Sequence, residues 1–289
     1  MSFYAVVCGG DRSWPVPTVD NDFISTFGEI IEQGPDGALP ADATHLLIIC
    51  REEWAPQMRR LATLLRAHDA GRHVSVLVTD TTPLGAAVVA EHVNSLREEP
   101  GTAARELRRL LGQVRGVVWV RRPGKVNGAR PGMWELVRSI WARNGSLAEG
   151  NGPVRLVRAE VEQWASLFKD AGSIHRSGEV APRPEALMQP YVTGEKTWGR
   201  TLSPGARAMV GKQPAFEVAV FSPTPVERIP DLTTCSGCGS TVVDMCPFCH
   251  AQWGAHHPTT SAAQPTTQMT VSTLEDTDVT PPASRAGLR

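Results

Sequence analysis

Four cysteines in two close pairs constrain this chain more than any other feature. Cys235-Ser-Gly-Cys238 is followed by seven residues, Gly239 to Met245, and then by Cys246-Pro-Phe-Cys249. Two cysteines two residues apart present both sulfurs from one tight turn, and a second such turn closes a tetrahedron around an ion. Zn²⁺ is the expected ion for four thiolates in a reducing compartment, with Zn–S bonds of about 2.3 Å. Gly237 and Gly239 let backbone amides turn toward the sulfurs, Pro247 stiffens the second turn, and Thr241-Val242-Val243 reads as a short strand between the turns. Cys235, Cys238, Cys246 and Cys249 are therefore the expected metal ligands, with Zn²⁺ as a structural cofactor.

The spacing and its turn residues resemble the zinc-ribbon class, with its rubredoxin-like knuckles, over residues 232–253. Members of that class serve nucleic-acid binding, protein docking or structural stapling. The resemblance thus implies a metal more firmly than it implies a role.

At 289 residues the chain holds one large or two modest domains, and 41% hydrophobic content with 20% charged content suits a globular core. A net charge of −1 excludes a binder of polyanions over its whole surface. No run approaches the ~18 apolar residues that span a bilayer. The opening Met-Ser-Phe-Tyr-Ala-Val-Val reads as a strand rather than as a signal peptide. The expectation is a cytoplasmic protein with no membrane contact. Cys8 and Cys50, the two cysteines outside the pairs, lie in apolar strands and read as small buried hydrophobes.

Short, nearly continuous apolar runs recur at Phe3–Cys8, His45–Cys50, Val74–Thr79 and Gly116–Val120. Continuous hydrophobicity suits strands covered on both faces. Helical spacing fills the gaps: Phe23, Phe27, Ile30 and Ile31; then Trp54, Met58, Leu61, Leu64 and Leu65; then Ala86, Val89, Ala90 and Val93 after Pro83; then Leu107, Leu110 and Leu111. Met133 to Trp141 and Val161–Phe168 repeat the pattern, with a strand at Val154–Val157. Such alternation calls for helical crossovers between parallel strands. The N-terminal region is Rossmann-like only in this general sense.

The expected fold class is α/β: a three-layer sandwich with a mainly parallel sheet, followed by a small zinc ribbon and a disordered tail. The expected boundaries are 1–171 for the Rossmann-like domain, 172–231 for a proline-rich connector, 232–253 for the ribbon and 254–289 for the tail. The tail is Thr-, Ser-, Pro- and Gln-rich and cannot bury enough apolar surface to offset the entropy of ordering.

Ligands of open parallel sheets bind at the carboxyl ends of the strands. There Gly9 and Gly10 could admit a phosphate, and Asp11 with Asp80 could hold a hydrated cation. The GxGxxG fingerprint, the P-loop and the Gly-x-Ser-x-Gly elbow are all absent, so no catalytic residue is assigned. Residues 105–143 carry ten basic side chains against Glu106 and Glu135. Within them Arg121, Arg122, Lys125 and Arg130 form a Gly-rich loop with tryptophans nearby, which suits phosphate backbones and unstacked bases. The favoured expectation is a non-enzymatic zinc-ribbon module or adapter contacting nucleic acid or a protein partner. The alternatives are an enzyme acting on a nucleotide or phosphorylated ligand at the strand ends, or a structural subunit of a larger assembly.

Overall fold

The computed structural model describes residues 2–8, 42–122, 126, 145–149, 155–180, 182–191, 196–199, 202, 204–211, 213–224, 233–242 and 245–249. The helices expected around Phe23–Ile31 and Met133–Trp141 lie outside these residues, as does the tail 254–289.

Three strands, β1 (Phe3–Val7), β2 (His45–Cys50) and β3 (His73–Val78), form a parallel sheet in that order. β2 is buried at every position, which is why His-Leu-Leu-Ile-Ile-Cys shows no polar alternation. Helix α1 (Ala55–His68) joins β2 to β3 and buries Met58, Leu61, Ala62 and Leu65, a stripe at three- and four-residue spacing. Two more helices follow β3: α2 (Pro83–Leu96) and α3 (Pro100–Leu111). Pro83 opens α2, where its missing N–H has no partner to lose, and Thr82 Oγ1 accepts from Gly85 N–H at 3.3 Å. The Glu99 carboxylate caps α3, accepting from Gly101 and Thr102 N–H at 3.0 and 3.2 Å.

A second sheet takes the rest of the main body. Its strands are β4 (Arg115–Val120), β5 (Ser146–Glu149), β6 (Arg155–Arg158), β7 (Ser173–Gly178), β8 (Lys196–Gly199) and β9 (Ala215–Phe221). They lie in the order β6-β5-β4-β9-β7-β8, with every neighbouring pair antiparallel except β7–β8. The fold is therefore mixed α/β, but the single, mainly parallel sheet expected from the sequence is corrected to a small parallel sheet and a larger, mostly antiparallel one. The cause is β9, which enters between β4 and β7 from far along the chain, a pairing that no local pattern encodes. The stretch 172–231 supplies β7, β8 and β9. Among its prolines, Pro182 and Pro204 open two helices, α5 (Pro182–Met188) and α6 (Pro204–Val210).

α2 lies between the two sheets, on β1 at one side and on β9, β7 and β4 at the other. Leu84, Ala86, Ala87, Val88, Val89, Ala90 and Val93 are all buried, so the helix is apolar around most of its circumference. β9 is likewise buried at every position. Ala219 and Phe221 join the core around α2, while Phe216, Val218 and Val220 face the opposite way, toward α4 (Val161–Phe168). Glu217 is fully buried, and its Oε1 accepts from Leu84 N–H at 2.7 Å. The carboxylate thereby meets the positive end of the α2 dipole. Glu217→Ala should lower stability by about 1.5–3 kcal/mol, the range for losing a hydrogen bond to a charged partner. Glu217→Gln, which keeps an acceptor, should recover part of that in urea unfolding.

Candidate functional site: a four-cysteine centre and a cleft beneath a helix

The two Cys-x-x-Cys turns flank a short antiparallel ladder, β10 (Thr233–Thr234) with β11 (Thr241–Val242). The sulfurs of Cys235, Cys238, Cys246 and Cys249 all lie within 4.8 Å of one another, with Cys238 and Cys246 at 3.4 Å. Tetrahedral Zn–S geometry has a sulfur–sulfur edge of about 3.8 Å. Cys235, Cys238 and Cys246 are buried, and Cys249 faces solvent. A Cβ on Gly237 would stand 3.2 Å from Cys249 Sγ and 3.7 Å from Cys235 Sγ, so glycine lets the turn close over the sulfurs. Burial raises the Cys235 pKa, but hydrogen bonds from the Cys238 and Gly237 amides, joined by those of the Cys246 and Cys238 thiols, bring it down to about 7. The Cys249 thiol is pushed up, by burial first and then by the neighbouring sulfurs. Four thiolates this close repel one another strongly, and a divalent cation at their centre removes that repulsion.

The centre is seated on the parallel sheet. His45 Nε2 lies 3.2 Å from Cys238 O, and Phe248 packs edge-on against His45 with ring centroids 4.8 Å apart. Burial and then the neighbouring His73 lower the His45 pKa to about 4, so the ring is neutral at physiological pH. Cys8 and Cys50, on neighbouring strands, are buried thiols pushed up to about 12, mainly by burial, as small hydrophobes should be.

On the second sheet, α4 covers a cleft of about 550 Å³. Val117, Leu147, Val157 and Leu167 form apolar walls, and Arg115, Glu149 and Glu162 add charge. The Arg115 guanidinium donates to Ser166 O at 2.8 Å and Lys169 O at 2.6 Å, tying β4 to the end of α4. Behind the cleft Trp164 stacks on Phe168 and Phe216, centroids 5.8 and 6.2 Å apart. A second cleft of about 320 Å³ opens on the same sheet face beneath α5, reaching Ile174, Met188 and Val218. Val218 is the register partner of Val117, which places the two clefts side by side across β4 and β9. These walls are not legible in the sequence because they come from separate strands, and only β4–β5, β5–β6, β4–β9 and β7–β9 pairing brings them together.

Of the residues singled out from the sequence, Gly9, Gly10 and Asp11 lie outside the described residues, as do Lys125 and Arg130. Asp80 is exposed after β3. Arg121 and Arg122 are exposed after β4, and Arg122 N–H donates to Gln213 Oε1 at 2.9 Å. Much of the basic excess upstream is engaged by the chain itself. Arg109 forms a forked pair with Glu106 and donates to Thr224, and Arg115 holds the carbonyls described above. Among the described residues no helix is long and apolar enough to cross a membrane.

No protein-family model and no curated protein matches the chain. Solved structures do match. A fatty-acid-binding DegV family protein from Thermus thermophilus is similar over 77% of this chain and 100% of its own, with TM-score 0.51 and 15% identity. A DegV family protein from Corynebacterium glutamicum is similar over 78% and 99%, with TM-score 0.50 and 12% identity. The shared feature is the fold. These likenesses correct the expectation of a zinc-ribbon adapter for nucleic acid, together with its nucleotide-enzyme and assembly-subunit alternatives. The α/β body has the architecture seen in DegV proteins, and the basic residues that suggested nucleic acid are partly tied into that body.

Proposed function

We propose that the protein is a carrier for a long-chain fatty acid, taken up by its acyl chain in the cleft beneath α4. The observation that carries this reading is the likeness, along the whole of that chain, to the fatty-acid-binding DegV protein of Thermus thermophilus. The cleft supports it with a volume inside the range of small-molecule sites and four aliphatic walls. Arg115 supplies a cation that a carboxylate head could meet. Each methylene moved from water contributes about 0.8 kcal/mol, so affinity should rise roughly fourfold per added carbon until the cleft is full. Titrating delipidated protein with saturated fatty acids of increasing length tests this. Val157 is half-buried at the wall, and Val157→Trp should fill the space and weaken the longest ligand by about tenfold or more without unfolding the protein. Affinity independent of chain length, or no binding at any length, would overturn the reading.

The four-cysteine centre belongs to the same proposal as a zinc ribbon spanning about residues 232–253. Cys235, Cys238, Cys246 and Cys249 would hold one Zn²⁺. With four protein ligands the ion has no open position, so its contribution is structural. A cytoplasmic setting, where thiols remain reduced, suits such a centre.

A further inference from the structure

We infer that the ion at the four-cysteine centre staples the parallel-sheet body, so that metal occupancy sets the stability of β1, β2 and the start of α3 as well as that of the knuckles. The inference rests on reading the cluster as a Zn²⁺ site. Contacts at two places carry it, one on α3 and one on the parallel sheet. The Glu99 carboxylate caps α3 and also accepts from Thr241 N–H at 2.8 Å, so one side chain serves helix and ribbon together. Backbone meets backbone beside it, where a Cβ on Gly101 would overlap Thr241 O. At the sheet, Phe248 is buried against Phe3 of β1 and His45 of β2, and His45 contacts the Cys238 carbonyl.

Cys235, Cys238 and Cys246 accordingly share one hydrophobic core with β1, β2, α1 and α2. Without a cation the cysteines take up protons and the bonds that cross-link the two turns are gone, so the turns that present Cys238 O and Phe248 lose their shape. The N-terminal ends of β1 and β2 are then uncovered, and Glu99 is left without its partner on β11. Cys249, on the solvent side, offers the route by which a chelator reaches the ion.

The test uses the full chain under reducing conditions. Elemental analysis first counts zinc per chain. Hydrogen exchange is then compared for protein as purified, after chelation, and after zinc is restored; Cys249→Ser, which alters the most exposed ligand, is a second route to metal loss. The inference predicts one zinc per chain. It also predicts about tenfold or faster exchange after metal loss in Phe3–Val7, His45–Cys50 and the first turn of α3, reversed by zinc. Zinc present, with faster exchange confined to residues 233–249, would overturn the staple and leave the metal reading intact. Absence of zinc would overturn both.

Discussion

Replacing Gly101 by alanine should destabilise the protein by about 3 kcal/mol, at the upper end of the cost of overpacking. The direction is informative because helix propensity alone argues the opposite. Gly101 sits in the first turn of α3, where alanine is intrinsically favoured by up to about 1 kcal/mol. The added methyl, however, would overlap the Thr241 carbonyl and approach Thr241 N to 3.2 Å, and both are backbone atoms that cannot swing aside. Relief requires moving β11 and with it the turns that carry the cysteines. Urea unfolding gives the number. A change within about 0.5 kcal/mol, or any stabilisation, would mean that the ribbon does not rest on α3.

Trp164→Ala should cost about 3–5 kcal/mol, the range for truncating a large buried aromatic. For a body of this size that is on the order of 10 °C in melting temperature. Trp164 is fully buried and stacks on both Phe168 and Phe216, so alanine leaves a void that the sheet and α4 cannot close. Trp164→Phe should cost under about 1.5 kcal/mol, because among the described residues the indole Nε1 has no hydrogen-bond partner that phenylalanine would forfeit. Thermal unfolding of both variants separates volume from polarity. Equal losses would contradict the packing account.

The local elements were largely legible. Apolar runs at His45–Cys50 and Gly116–Val120 became β2 and β4, and helical spacing from Met58 to Leu65 and from Ala86 to Val93 became α1 and α2. Val161–Phe168 is α4 with the same bounds. β5 and β7 were not recognised, since Ser-Leu-Ala-Glu and Ser-Ile-His-Arg-Ser-Gly are too short or too polar to stand out. The pairing of β5 with β4 and of β7 with β9 joins segments distant in the chain. The prolines of 172–231 pointed to a connector, yet Pro182 and Pro204 are residues that begin helices.

The sites divide in the same way. The convergence of Cys235, Cys238, Cys246 and Cys249 follows from spacing, because a Cys-x-x-Cys turn brings its two sulfurs together whatever surrounds it. Where that cluster docks was not encoded locally. Glu99 and Thr241 are 142 residues apart, and His45 and Cys238 are 193 apart. The cleft is the extreme case, since Val117, Leu147, Val157 and Leu167 become one wall only after antiparallel pairing and the placement of α4. By itself the sequence determined the longer apolar strands and amphipathic helices and the cysteine cluster, all products of short-range periodicity and turn geometry. The tertiary structure alone decided the order of strands, the burial of α2 between two sheets and the cleft, because these depend on which distant apolar faces exclude water together.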